Sequence, residues 1–562
     1  MSDCSFSEDS ELQKLNAQVL EDPEEFENWE KLVRVAEAQE GGLSRNSSAG
    51  AISYTRAIYD QFLARFPLFF GYWKKYADLE FSIGGTEAAE MVYERGVASV
   101  GISVDLWANY CAFKVETSHD ADVIRELFER GANSAGLDFL AHPFWDKYLE
   151  FEERLEAQDR LFAILDRIIH IPMHQYARYF ERYRGMAASR PLIELAPQNV
   201  LLQFRQDTLN EGGPKQKNER EIEQEMRSKV DNLHLEIFQR TQTETTKRWT
   251  YESEVKRPYY HVTELDEQQL VNWRKYLDFE EMEGDYARTK FLYERCVVTA
   301  ANYEEFWLRY ARWMLAQPAR QEEVRSIYQR ASWIYVPIAR PAIRLHYAQF
   351  EEAEGRADVA VAIHEAILMN MPTHVETIKS LANVCRRQYG LESATEVLGK
   401  RIRGEEGPVD TRGALVSEWA RLICKVKGSP EEARQIYQKN SASYLDCRAF
   451  WVDWLDFEIQ QPTSESEEPN RYQHIRAVFE LIRNNPSLSP TLIKDLSSTY
   501  FTYLRERGGK DAMKEYMFLD QQLHGSSSMR QDMDDGKDGT AQSRMMLENG
   551  NSGVAAVEAA IR

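Results

Sequence analysis

His170 and His174 stand four residues apart, a spacing that can put two imidazoles on one helix face to share a metal ion. Pro172 lies between them, and no nearby carboxylate or cysteine completes a ligand set, so two ordinary turn or surface histidines are expected. Paired carboxylates such as Glu351-Glu352 could serve acid–base chemistry, but their pattern puts them on a polar helix face toward solvent. There is no G-x-x-x-x-G-K-[ST] or G-x-G-x-x-G loop to cradle a nucleotide and no G-x-S-x-G nucleophile elbow. Cys4, Cys111, Cys296, Cys385, Cys424 and Cys447 form no C-x-x-C pair and are expected as reduced thiols. The expectation is a chain with no catalytic residue, cofactor or metal.

Phosphate chemistry needs cations. The basic clusters are short: Lys247-Arg248, Lys256-Arg257, Arg386-Arg387 and Lys400-Arg401-Ile402-Arg403. Solvated helix faces are the simpler reading of each. The net charge is -22, from 69 Lys+Arg against 91 Asp+Glu. Nucleic-acid binders gain affinity by releasing counterions from phosphate with basic surfaces, so RNA contact is expected to be indirect or local. The acidic balance also argues against a membrane surface. The first residues hold no apolar signal-peptide core, and no apolar run approaches the roughly 20 residues of a membrane span.

What remains is a repeat. Residues 73–80 read WKKYADLE, 145–152 WDKYLEFE, 273–280 WRKYLDFE and 451–458 WVDWLDFE. The pattern W-x-x-[YW]-x-x-[FL]-E returns weakly at Trp107/Tyr110 and Trp307/Tyr310, without its Trp at 344–351, and in degenerate form from Trp29. A second pattern follows: AAEMVYERGV at 88–97, VIRELFERG at 123–131, ARTKFLYERCV at 287–297, VRSIYQRA at 324–331 and ARQIYQK at 433–439. Trp73 to Trp107 is 34 residues and Trp107 to Trp145 is 38, periods of a helix–turn–helix unit. Gly84-Gly85, Gly284 and Gly355 fall between the halves, and Pro67, Pro172, Pro337 and Pro372 follow second helices.

One helix pair cannot bury such aromatics alone, so neighbours must stack into a continuous core. The expected core residues are Trp73, Tyr76, Trp107, Tyr110, Trp145, Tyr148, Trp273, Tyr276, Trp307, Tyr310, Trp451 and Trp454. The Glu closing the first pattern is expected to pair with the Arg of the second, as Glu80 with Arg95 and Glu280 with Arg295. The fold class is all-α, a helical-repeat solenoid of two arrays joined by a helical linker.

The paired patterns resemble the half-a-tetratricopeptide (HAT) repeat family over about residues 25–524. Residues 256–280, KRPYYHVTELDEQQLVNWRKYLDFE, and 68–80, LFFGYWKKYADLE, resemble the pre-mRNA-processing factor 39 family. That resemblance implies a nuclear scaffold of the U1 small nuclear ribonucleoprotein, which recognises the 5′ splice site. It also implies dimerisation through the C-terminal array, with itself or a paralogue, and U1 proteins as partners. The alternatives are an RNA-binding HAT protein of ribosomal-RNA processing, or another scaffold such as the 3′-end cleavage-stimulation factor.

The chain divides into a flexible leader at 1–20, an N-terminal array at 21–187, a linker at 188–262, a C-terminal array at 263–524 and a disordered tail at 525–562. A long polar helix is expected within the linker, with a disordered segment as the alternative. The last helical pair, 492–524, carries Tyr500, Tyr503, Leu504, Tyr516, Met517 and Leu519. These exceed what one terminal repeat can bury, so they mark a possible dimer contact, against an ordinary capping repeat.

Overall fold

The computed structural model describes residues 3–211, 218–404, 407–462 and 468–524. Among them there are 26 α-helices with short 3-10 and π turns and no strand. Contiguity divides the chain into two compact units, residues 1–337 and 338–562.

The first unit stacks antiparallel helix pairs. Most pairs begin with a Trp-bearing helix such as Phe70–Ile83 and return through one such as Thr86–Ser99. The turns lie where the glycines predict. Gly284 caps its helix with φ 77°, a left-handed conformation that costs glycine little. Glycine also serves packing: a Cβ on Gly131 would lie 2.6 Å from the ring of Phe144 in the next pair. One contiguous apolar core runs from Leu12 through the N-terminal array to Leu201, and Val230 and Ala301 join it.

Two expectations change here, the leader and the boundary of the first unit. The leader is instead a helix, Asp3–Glu21, whose Leu12, Leu15 and Val19 are buried against the first repeat. Their i, i+3, i+7 spacing is the reason: it makes one apolar stripe. The linker does hold a long helix, Glu219–Glu252, opened by a capping box at Asn218. Its 34 residues span about 51 Å. This helix docks along the end of the array with a polar seam. Buried His234 meets the Tyr183 hydroxyl at 3.1 Å, Thr241 donates to the Ile169 carbonyl, and Arg227 donates to the carbonyls of Ala188 and Arg190. Finally, the first compact unit ends at Pro337 rather than at the linker, because the two repeats after the linker share its core. Tyr260 packs on Phe69, and buried Arg295 reaches Asp138 at 3.2 Å.

The second unit continues the helix pairs from Ala342–Ala353 to Ala512–His524. Among the described residues, many of its buried side chains gather in clusters around Phe450, around Leu381 and around Ala348. The tail expected at 525–562 lies outside the described residues.

Candidate protein-binding surfaces

All twelve expected core aromatics are buried, none more than 4% exposed. Trp29, Trp73, Trp107 and Trp307 each donate the indole N–H to the carbonyl six residues earlier, at 2.8–3.0 Å. Trp273 occupies the same place, but its buried Nε1 has no partner.

The repeat also carries two polar ladders. In the first, the residue seven after the Trp pairs with the residue three before the aromatic of the preceding return helix. Glu80 thus takes Arg56 at 2.7 Å, Glu152 takes Arg125 at 2.8 Å, Glu280 takes Arg248 at 2.7 Å and Glu458 takes Arg434 at 3.0 Å. At one rung both charges are exchanged: Lys114 replaces the Glu, Glu90 replaces the Arg, and they meet at 2.6 Å.

In the second ladder, the acid after the return-helix aromatic accepts from the Tyr three after the next Trp and from the next return helix's Arg. Glu94 binds Tyr110 and Arg130, both at 2.7 Å, and Glu294 binds Tyr310 at 2.8 Å and Arg330 at 2.7 Å. Glu129 binds Tyr148 and Arg167 in the same way, and Glu252 binds Tyr276 and Arg295. Each Arg lies over its own repeat's Trp, 5.3–5.8 Å from the ring centre in five repeats. The Tyr stacks on the preceding aromatic. Tyr59–Tyr76, Tyr93–Tyr110, Phe128–Tyr148, Tyr251–Tyr276 and Tyr293–Tyr310 have centroids 4.5–5.0 Å apart and planes within 7°. Such pairs add about 0.5–1.5 kcal/mol each beyond burial. Burial pushes the Tyr76 hydroxyl up to about 12, so it stays a donor at neutral pH.

The expected pairs Glu80–Arg95 and Glu280–Arg295 are therefore not formed. The turn at Gly84 puts Glu80 opposite the start of the return helix, and Arg95 lies roughly 9 Å further along it. Arg95 pairs instead with Asp60 of the preceding repeat.

The ladders show what the sequence reading passed over. Arg248, Tyr251 and Glu252, at the end of the long helix, stand at the spacing of Arg56, Tyr59 and Asp60. The linker helix is thus the return helix of a repeat whose Trp half is missing. The signal R-x-x-[YF]-[DE] was present but masked by the charged residues before it.

His170 and His174 turn to different neighbours: Arg240 approaches the first, and the ring of Trp249 stacks on the second. Of the expected dimer residues, Tyr500, Tyr503, Leu504 and Leu519 are buried in the chain itself. Tyr500 stacks on Phe479 at 4.2 Å and donates to Glu515. They are committed to the terminal core, because the preceding pair supplies the partner rings. Tyr516 is half-buried and stacks edge-on against Phe501. Met517 remains 63% exposed, beside Met513 and Phe518 on the same helix. The apolar surface left for a partner is this narrower one.

The PRP39 N-terminal HAT repeat matches residues 13–185 and the PRP39 C-terminal HAT repeat matches residues 246–387. Pre-mRNA-processing factor 39 of Schizosaccharomyces pombe is 47% identical over all of this chain and 95% of its own length. The chain belongs to the pre-mRNA-processing factor 39 family. The Xenopus laevis relative is 31% identical, with 83% of this chain and 72% of that protein covered. The crystal structure of CSTF-77 shares the fold: TM-score 0.54 at 12% identity, over 82% of this chain and 89% of that one. The C-terminal match begins at residue 246, at the Arg248–Glu252 half-repeat within the stretch expected as linker.

Proposed function

We propose that this chain is a non-catalytic protein–protein scaffold of pre-mRNA splicing. It associates with the U1 small nuclear ribonucleoprotein in the nucleus and supports 5′ splice-site recognition. The observation that carries this reading is the identity along the whole chain to a pre-mRNA-processing factor 39. Family membership supports a role in pre-mRNA processing, and the finer placement in the U1 particle is this proposal's own step. The ladder chemistry suits bridging. Its Tyr, Glu and Arg groups hold one another, which leaves helix faces and loops to engage partners.

Self-association runs through the terminal helix Ala512–His524, where Met513, Met517 and Phe518 offer exposed apolar area. A closed two-fold pair is the commonest arrangement for such a face.

Purification of the chain from nuclear extract, followed by sequencing of the small nuclear RNAs retained, tests the assignment. Enrichment of U1 RNA is expected, and its absence would overturn the reading. Light scattering of the Met517→Asp/Phe518→Asp chain tests the contact. A monomer is expected, and an unchanged dimer would move the contact elsewhere.

A further inference from the structure

The regular repeats consume their arginines in ladders. The stretch 372–415 has no Trp; Arg387 still pairs with Glu352 and Lys379 with Glu418, but the cations further along are placed differently. A cavity of about 270 Å³ opens between the end of helix Leu391–Arg403 and the start of helix Val409–Leu422. Lys400 and Arg401 come from the first helix, and Thr411 and Arg412 from the first turn of the second. Thr373 closes the opposite wall. No ion pair or side-chain hydrogen bond holds the guanidinium of Arg401 or Arg412 among the described residues, and the Nε of Arg412 is buried without a partner. Lys400 has a single exposed contact with Glu396. None of the described lining residues is acidic. The floor is apolar, made by buried Ile378 and Leu415.

We propose that this cavity binds the phosphoryl group of a phosphoserine or phosphothreonine side chain on a partner peptide. Two planar guanidinium groups and an ammonium match the three acceptor oxygens and the double charge of a phosphomonoester. The two threonine hydroxyls add donors, and the positive end of helix Val409–Leu422 faces the same space. The apolar floor takes the aliphatic part of the phosphorylated residue or its neighbour.

A nucleic-acid backbone fits less well. No aromatic ring lines the cavity to stack a base, and single-stranded RNA sites depend on such stacking. A chain of net charge -22 also repels an extended polyanion, whereas one phosphoryl group on a neutral or basic peptide escapes most of that penalty. The site stands apart from the splicing assignment, because it rests on this cavity alone.

The test uses the full chain, immobilised, and a pool of degenerate nonapeptides with phosphoserine at the centre. The same pool unphosphorylated and a fluorescent U-tract RNA are run alongside. Preferential retention of the phosphorylated pool by about tenfold is expected, as for charge-assisted hydrogen bonds lost from one partner. Arg401→Gln/Arg412→Gln should abolish the preference while leaving the circular dichroism and the melting temperature unchanged. Equal retention of both pools by the native chain overturns the proposal. So does a preference that survives the double substitution, or RNA binding lost in that variant with no phosphopeptide preference. If the double variant loses its fold, Thr373→Val and Thr411→Val supply the second readout: each should weaken the preference, and two unaltered variants would sink the site.

Discussion

Residues 1–337 and 338–524 are built from the same helix pair, yet they hold together differently. In the first unit Trp73, Trp107, Trp145, Trp273 and Trp307 each have a Tyr three residues on that stacks backward, an acid on the preceding return helix that holds that Tyr, and an Arg that covers the Trp. The apolar core is accordingly continuous through the N-terminal array, from Leu12 to Leu201 and on to Val230 of the long helix. In the second unit Arg344 stands at the Trp position, and the repeats at 375–427 use Ile378, Leu381, Leu398 and Leu415. These side chains fill volume but neither stack in register nor carry a hydrogen bond, and the core separates into clusters. Stacked ladder rings recur at Tyr437–Trp454, 5.4 Å apart, and at Phe479–Tyr500, 4.2 Å apart. The lesson is that helix-pair geometry alone tolerates almost any apolar filling, whereas continuity between pairs depends on residues that bond across the joint.

The largest expected effect tests that continuity. Trp145→Ala should cost about 3–5 kcal/mol, the usual range for truncating a fully buried large aromatic. Its accelerated hydrogen exchange should extend through both neighbouring repeats of the first unit. Leu381→Ala should cost about 2–5 kcal/mol but accelerate exchange only within residues 368–422. Exchange mass spectrometry reads both. A Trp145 effect confined to its own helix pair would remove the contrast.

The exchanged rung sharpens the comparison within the first unit. Lys114→Glu sets two carboxylates against each other at a half-buried position and should destabilise by on the order of 1–2 kcal/mol. Adding Glu90→Arg rebuilds the Arg–Glu rung found at Arg56–Glu80 and should restore the denaturation midpoint. If the double variant is no better than the single, the ladder contributes charge balance without specific pairing.

The smallest effect concerns the joint near Asp138. Burial raises the Asp138 carboxyl above its ordinary range, against the pull of Arg295, while Glu252 adds repulsion. Arg295 loses hydration by burial, but Asp138 and Glu252 more than compensate and hold it charged. A raised folded value means that the ionised Asp138 costs stability at neutral pH. That cost fades as the pH falls through the raised value. Asp138→Asn should therefore melt slightly higher than the native chain at neutral pH, and the gap should narrow as the pH is lowered. A gap that widens on acidification would show that the carboxylate is net stabilising.

Much of this was legible in the residues. The Trp and Tyr spacings named the core positions, the glycines and prolines marked the turns, and the short junction segment pointed to the family. The partner of each polar residue was not legible. Glu80 and Arg95 look matched in one dimension, yet an antiparallel hairpin separates them along its axis. Tyr500 and Leu504 looked surplus because the ring that covers Tyr500, Phe479, belongs to the preceding pair. Arg248 and Glu252 looked like linker charge because their apolar counterpart lies across the joint at Trp273 and Tyr276.

Local periodicity, then, determined by itself that this chain forms helix pairs and which face of each is apolar, since both follow from 3.6 residues per turn. The tertiary structure alone decided which charges meet, where the first compact unit ends, and which cations stay unspent around the cavity at Arg401 and Arg412. Ladder charges meet across residues 24–43 apart in sequence, the extent of the first unit rests on contacts as distant as Phe69–Tyr260 and Asp138–Arg295, and the stacking of one pair on the next sets such distances.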